Sequence, residues 1–311
     1  MRLNMNPAIA YTFIIIGAAF WGSTGFFVTY LYHFGFTPWE VVAVRLASSS
    51  LVLFGLMATM ARKYLRIKWR HIPYFFVLGI ISIALFNWCY FEVIDRASLS
   101  VAVIFVYTSP VFAALIAYAF FKEEMTWKKG MAIIFTIIGC ALVIGYFPGG
   151  NAGMGFVTII LGLAAGLFCS LFSVIGKLVS RFYHPLTVTF YAMLCGSLFM
   201  VPTSGIWKKG QLFISGDVWG GIAGITLIST IAAYLLYTMG LTYVESSKAA
   251  ILSSVELVVS VLIGVTIFHD AIDRWQWIGF LFVFCSLFLT VLPIRRTTRD
   301  SFDKKKSQLP K

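Results

Sequence analysis

The sequence predicts an all-α integral membrane protein of ten transmembrane helices, arranged as two inverted five-helix repeats. Three observations carry this. Apolar residues make up 60% of the chain and charged residues only 12%, with a mean hydropathy of +0.90, whereas soluble domains carry about 25% charged residues. Ten windows are apolar enough over roughly 20 residues to cross about 30 Å of hydrocarbon, at residues 8–32, 38–60, 72–93, 97–121, 129–147, 153–177, 185–203, 218–241, 247–268 and 272–293. Residues 94–123 and 241–270 share a pattern at an offset of 147, which aligns Ile94 with Leu241, Ala102 with Ala249, Pro110 with Leu257 and Glu123 with Asp270. Each half holds five windows. Five is odd, so the second copy enters the bilayer from the opposite face and must be inverted.

In chain order, the first window carries Ala18 and Gly22 at small-xxx-small spacing, which lets helix backbones approach closely in lipid. It runs straight into the repeat and is read as a retained span, not a cleaved signal peptide. Thr37-Pro38 opens the second window and His184-Pro185 the seventh, again 147 residues apart. The third window holds Asn87 beside Trp88 and Tyr90, and the fourth holds Tyr107-Thr108-Ser109-Pro110. The turn-rich Pro148-Gly149-Gly150-Asn151-Ala152-Gly153 divides the halves, giving repeats at 1–148 and 149–293 and a basic tail at 294–311 that faces the inner leaflet. The sixth window carries Gly162-x-x-x-Gly166 continuing to Ser170, and the eighth Gly220-x-x-x-Gly224. Trp207 and Trp219 fall near water interfaces, as aromatic belts do. The ninth window places Ala249, Ser253, Glu256 and Ser260 on one helical stripe, and the tenth closes the second half. The five cysteines lie within windows without CxxC spacing and read as packing residues. The four histidines lie near window ends without HExxH spacing, so neither a metal site nor a disulfide framework follows.

The net charge of +12 invites a nucleic-acid partner, but its distribution argues against one. With the N-terminus inside, nineteen basic residues fall in interior segments, including Arg62, Lys63, Arg66, Lys68 and Arg70, and only Arg96, Lys208, Lys209 and Arg274 fall outside. This is the positive-inside asymmetry. It predicts a multi-pass protein of the cell membrane with both termini cytoplasmic.

Charged groups deep in a bilayer cost roughly 2.5–3.5 kcal/mol each on insertion scales, so those present need a reason. Arg45 lies roughly 10 Å below the outer end of its span. It either captures a substrate carboxylate or phosphate with its guanidinium fork, or ties helices together through carbonyls or by pairing with Glu40. Glu256 lies near the midplane of the ninth span and is either a proton, cation or amine site or a fixed interhelical hydrogen bond. Pro110 cannot donate a backbone hydrogen bond, so it is expected to kink the fourth span and free the Val106 carbonyl at the midplane, with Tyr107 presenting its hydroxyl nearby. Asn87 either lines a cavity or glues two helices. Ser253 shares the Glu256 stripe. Tyr234, Tyr237 and Phe26 are aromatic candidates for the cavity wall.

The order and duplication of these features resemble the drug/metabolite transporter superfamily, most nearly its EamA-type branch. The first half offers Ala97-Ser98, Ala102 and Pro110-Val111 ending in Lys122-Glu123. The second offers Ser246-Ser247, Ala249 and Glu256-Leu257 ending in His269-Asp270. Phe20-Trp21-Gly22-Ser23 is similar to the family's W-G-x-N segment, with Ser23-Thr24 departing from it, and Pro38 through Arg45 is similar to its proline-to-arginine spacing. Leu257 stands where proline is usual, so the two fourth helices need not kink alike. The resemblance implies secondary transport, often export of amino acids or other small metabolites. Other members carry sugars, nucleotide sugars or phosphorylated solutes. It also shifts Arg45 toward a structural role.

Inverted halves suit alternating access between two compartments. A zwitterionic, neutral or aromatic solute fits one deep cation and one deep anion better than a multiply anionic phosphate does. An intramembrane enzyme would need paired carboxylates, a serine–histidine pair or zinc at depth, and a channel would need polar rings, usually from several subunits. The sequence therefore predicts no enzyme and no cofactor. Its expected partners are a small-molecule solute, the lipid bilayer, and a proton or ion for coupling.

Overall fold

The computed structural model describes residues 7–121, 127–144, 154–179, 182–241, 243 and 252–291, and every regular element among them is helical. The dividing segment 148–153, Lys122, Glu123, Arg181, residues 246–249 and the basic tail lie outside the described residues. Seven stretches are long and apolar enough to cross a membrane, namely Ala8–His33, Pro38–Met60, Trp69–Arg96, Leu99–Ile116, Phe156–Gly176, Pro185–Ser204 and Gly216–Gly240. The shorter apolar helices Gly130–Val143 and Val255–Thr266 and the helix Arg274–Val291 occupy the remaining three windows. The described residues thus form a multi-pass bundle of ten apolar spans, numbered 1 to 10 below.

Local chemistry sets the boundaries. Span 2 opens with a reciprocal cap: Thr37 Oγ1 accepts from the Glu40 N–H at 3.4 Å and Glu40 Oε2 accepts from the Thr37 N–H at 2.7 Å. Pro38 follows at the first helical position, where its missing N–H costs nothing. Span 7 also opens on a capping side chain and a proline, with His184 Nδ1 accepting from the Leu186 N–H at 3.3 Å ahead of Pro185, but without the reciprocal bond.

The interior of the repeats matches more closely than the hydropathy suggests. Span 3 contains a π-helical segment, Val77–Leu85, followed by an α-helix from Phe86 to Arg96. Span 8 contains the π-helical segment Gly224–Ala232, followed by an α-helix from Ala233 to Leu241. Both segment boundaries repeat at the 147-residue offset. π-helical insertions are rare and concentrate at functional sites.

Spans 4 and 9 are interrupted rather than kinked. The chain leaves the helix Leu99–Val106 at Tyr107 and Thr108 and starts again at Ser109. Pro110 is thus the second residue of a new half-helix, where a proline is unstrained. The expected proline kink at the centre of one continuous helix is corrected to a break one turn earlier, where the Thr108 hydroxyl donates to the Phe105 carbonyl at 2.6 Å. In span 9, Leu252 and Ser253 are helical, Ser254 is a turn, and Val255–Thr266 forms the second half-helix. Leu257 does not prevent this break, so the interruption is not a property of proline alone.

Spans pair across the repeats: 2 against 7, 5 against 10, 4 against 9, 1 against 8, and 3 against 6. Glycines set the tightest crossings. A Cβ on Gly139 would stand 2.8 Å from the Gly279 carbonyl oxygen, and one on Gly279 2.7 Å from that of Gly139. The same crossing carries a polar bridge in which Thr136 Oγ1 and Ser286 Oγ lie 2.6 Å apart and Ser286 donates to the Ala132 carbonyl at 2.8 Å. In span 8, Gly224 lies against the Phe27 ring while Gly220 has nothing within 4 Å, so only one member of that small-residue pair makes a crossing. At one end of the 4–9 pair, Asp270 accepts from the Ser100 hydroxyl at 2.8 Å and from its N–H at 3.2 Å, holding the start of span 4 to the end of span 9.

Gly139→Ala should destabilise the purified protein by about 1–3 kcal/mol, read as a lower thermal midpoint in detergent. Gly55→Ala, whose added methyl meets nothing within 4 Å, should leave the midpoint level or higher.

Candidate functional site

The interruptions and π segments converge on one cavity of about 190 Å³. Span 1 contributes Trp21 and Thr24 from either side of its own break at Ser23, and span 2 contributes Arg45. Span 3 contributes Ser82, Asn87 and Tyr90, and span 4 contributes Val106, the last residue before its break. Spans 6, 8 and 9 contribute Cys169 and Phe172, Tyr234, and Glu256. The repeat offset pairs Asn87 with Tyr234, so equivalent positions of the third and eighth spans line the same space.

Arg45 is 9% exposed and is the one basic residue among the described residues bordering the cavity. It meets neither Glu40 nor a carbonyl in a described bond. Glu40 is occupied by its cap and by Lys209, whose Nζ lies at 2.8 Å. Instead, Arg45 Nε donates to Thr230 Oγ1 at 3.1 Å and NH1 donates to Asn87 Oδ1 at 2.7 Å. Both acceptors are oriented by the π segments. The Asn87 amide donates to the Ile83 carbonyl at 2.8 Å, which turns its own oxygen toward the guanidinium. The Thr230 hydroxyl donates to the Ile225 carbonyl at 2.7 Å, which leaves its lone pairs for Arg45. One residue of each repeat thus holds the cation, and the Phe91 ring lies 5.8 Å from its carbon centre.

Glu256 is half-buried at the second position of the half-helix Val255–Thr266. Its backbone lies so close to span 1 that a Cβ on Gly22 would stand 2.8 Å from the Glu256 carbonyl oxygen. Ser260, one turn on, donates to the Gly22 carbonyl at 3.1 Å. Among the described residues Arg45 and Glu256 form no direct ion pair, although both border the cavity. The cavity also meets the carbonyl end of Leu99–Val106 and the N–H end of Val255–Thr266, which favour positive and negative charge respectively.

Of the other expected residues, Tyr234 lines the cavity, whereas Tyr107, Pro110, Ser253, Tyr237 and Phe26 stand around it. Tyr107 donates to the Ser253 carbonyl at 3.4 Å, joining the break of span 4 to that of span 9. Pro110 lies beyond the break. Tyr237 packs on Trp21 with ring centroids 4.8 Å apart, and Tyr234 meets the same indole edge-on at 5.1 Å. Phe26 joins a separate ring cluster with Phe27, Tyr30 and Phe268. Sequence reasoning missed Trp21, Thr24, Ser82 and Thr230. The repeat offset would have linked Ser82 to Ser229 and Asn87 to Tyr234, but nothing local marked Thr230.

A family model described as the EamA-like transporter family matches the chain twice, over residues 8–145 and 156–292. The uncharacterized transporter YwfM of Bacillus subtilis is 25% identical, across 96% of this chain and 99% of its own length. An uncharacterized transporter of Archaeoglobus fulgidus is 25% identical across 81% of this chain and 87% of its own. The uncharacterized inner membrane transporter YicL of Salmonella typhimurium is 22% identical across 92% and 96%. One solved crystal structure shares the fold with a TM-score of 0.60 at 14% identity, across 97% of this chain and 99% of that one.

Thr230→Val keeps the shape of the side chain and removes the acceptor for Arg45. It should cost about 1–3 kcal/mol, the penalty for a buried donor left unmet, measured by thermal or denaturant unfolding in detergent. Combining it with Asn87→Leu should give a non-additive loss, since both act on one guanidinium.

Proposed function

The chain belongs to the EamA-like transporter family, and on that premise we propose that it is a secondary exporter of small zwitterionic metabolites, amino acids foremost. The observation that carries this reading is the pairing of Arg45 and Glu256 on one cavity without contact between them. A guanidinium already fixed by Asn87 and Thr230 offers its outer face to a carboxylate. The Glu256 carboxylate and the carbonyl end of the span 4 half-helix suit an amine. Trp21, Phe172 and Tyr234 supply apolar and aromatic wall for a side chain. The volume of about 190 Å³ is below the roughly 300–1,000 Å³ of sites for drug-sized ligands. A phosphorylated solute would call for several cations, and among the described residues bordering the cavity Arg45 supplies one.

The mechanism is alternating access. The paired breaks in spans 4 and 9 are joined by Tyr107 and Ser253, and each half-helix can tilt against the opposite repeat about its break. Contacts such as Asp270 with Ser100 then form on one side while the other side opens. Glu256 serves as the proton or cation site that couples the cycle to a gradient. The chain sits in the cell membrane with both termini cytoplasmic, the orientation its basic segments favour.

Amino-acid counterflow in proteoliposomes tests this. Counterflow should saturate with substrate, and Arg45→Ala and Glu256→Gln should each reduce it at least about tenfold, the loss expected when a charge-assisted bond worth about 1.5–3 kcal/mol is removed. Unchanged transport in both variants would reject the zwitterion site, and flux that does not saturate would reject a carrier.

A further inference from the structure

A second cavity, of about 280 Å³, opens where the start of span 7 meets the far ends of spans 2 and 8. Of the described residues lining it, Tyr234 also borders the solute cavity, and the rest of its lining is mostly apolar. Its walls are Leu53, Met193, Leu235 and Met239, with no charged side chain among them, and its mouth is framed by His184 and Tyr243. Thr189, Thr230, Tyr234 and Thr238 add hydroxyls to the lining, but no lysine, arginine or carboxylate among the described lining residues meets a zwitterion's charges there. A hydrocarbon chain would lose nothing.

The mouth is basic. Arg62, Lys63, Arg66, Lys68 and Arg70 lie exposed on the segment beside it. The ion pairs among the described residues, Glu92 with Arg96 and Glu40 with Lys209, use none of them. The segment is fixed to span 7, whose first turns line the cavity. The Thr187 hydroxyl donates to the Tyr64 carbonyl at 2.8 Å and the Tyr191 hydroxyl to the Leu65 carbonyl at 2.6 Å. The Tyr64 ring stacks on His184 with centroids 4.1 Å apart, and Lys63 Nζ lies 4.8 Å from the Tyr64 ring centre. Because His184 Nδ1 accepts the Leu186 N–H, the proton of the neutral ring is on Nε2. Partial burial, and then the neighbouring Lys63, hold this imidazole below its ordinary pKa.

We propose that this cavity is a site for one anionic phospholipid, with an acyl chain between spans 2, 7 and 8 and the headgroup phosphate at Lys63 and His184. An apolar slot between helices under a basic rim is the arrangement that recognises anionic lipid. The inner end of the slot gives the site a consequence. It is closed by Thr230 and Tyr234, of which Thr230 holds Arg45 and Tyr234 borders the solute cavity. An acyl chain seated there buttresses the span 8 wall against which Arg45 is positioned.

The test uses the full chain in phosphatidylcholine vesicles doped with either of two probes that carry the same diazirine-bearing acyl chain, one on phosphatidylglycerol and one on phosphatidylcholine. After irradiation, labelled peptides are mapped by mass spectrometry. The phosphatidylglycerol probe should label span 7 and the end of span 8 about fivefold more than the phosphatidylcholine probe, the preference expected of one basic residue at a membrane surface. Lys63→Gln, an exposed change that leaves the fold alone, should abolish that preference. Met193→Trp should fill the slot and remove labelling there while sparing labelling elsewhere on the belt. Equal labelling by the two probes, labelling unmoved by either variant, or displacement of the lipid probe by an amino-acid mixture would overturn the proposal. None of these readouts requires transport, so the result stands apart from the fate of the zwitterion site.

Discussion

The structure turns on one buried cation. A guanidinium buried within a membrane span persists only if its N–H groups are met, and at a helix centre it costs roughly 2.5–3.5 kcal/mol on insertion scales even so. Arg45 is met by one acceptor from each repeat, Asn87 from span 3 and Thr230 from span 8. Each acceptor is itself aimed by a bond to a carbonyl of a π-helical segment. The two widened segments occupy the same place in their repeats, so Arg45 binds two structurally equivalent helices at their shared irregularity. Much else at the centre follows from that junction, including the facing positions of Asn87 and Tyr234 and a wall that closes around Glu256.

The duplication is used asymmetrically. Spans 4 and 9 break at matching points, yet the first break is followed by Pro110 and the second by Glu256 two residues after its turn. Position 45 of the first repeat carries arginine, and its equivalent in the second is the fully buried Ala192. An inverted pair with identical chemistry would have held two cations and repelled a second charge. Divergence leaves one cation and one anion among the described residues that border the same aromatic-walled cavity.

Sequence alone revealed the frame and the charges. Ten windows, the 147-residue offset and the scarcity of deep ionisable groups were enough to isolate Arg45, Glu256 and Asn87, because hydropathy and charge are properties of single positions. What it missed depends on backbone geometry. A π-helical turn shifts every following side chain around the axis, and nothing in the composition of residues 77–85 or 224–232 announces it. The partner of Arg45 was sought five residues away at Glu40, but it lies 185 positions along the chain at Thr230. Pro110 drew attention as a helix breaker, whereas the break falls at Tyr107 and Thr108 and recurs in span 9 where leucine replaces proline. Trp21 was legible as part of a motif but not as a cavity wall, since that role depends on the interruption at Ser23.

The most direct measurement of the central claim is ligand-dependent thermal stability of the purified protein, because a ligand that binds only the folded state raises its midpoint. Three forms of one amino acid should be compared: the zwitterion, its carboxamide, and the amine lacking the carboxyl group. Recognition of both charges at Arg45 and Glu256 predicts a concentration-dependent rise with the zwitterion and little with either truncated form. An equal rise with all three, or one that survives Arg45→Gln and Glu256→Gln together, would contradict it.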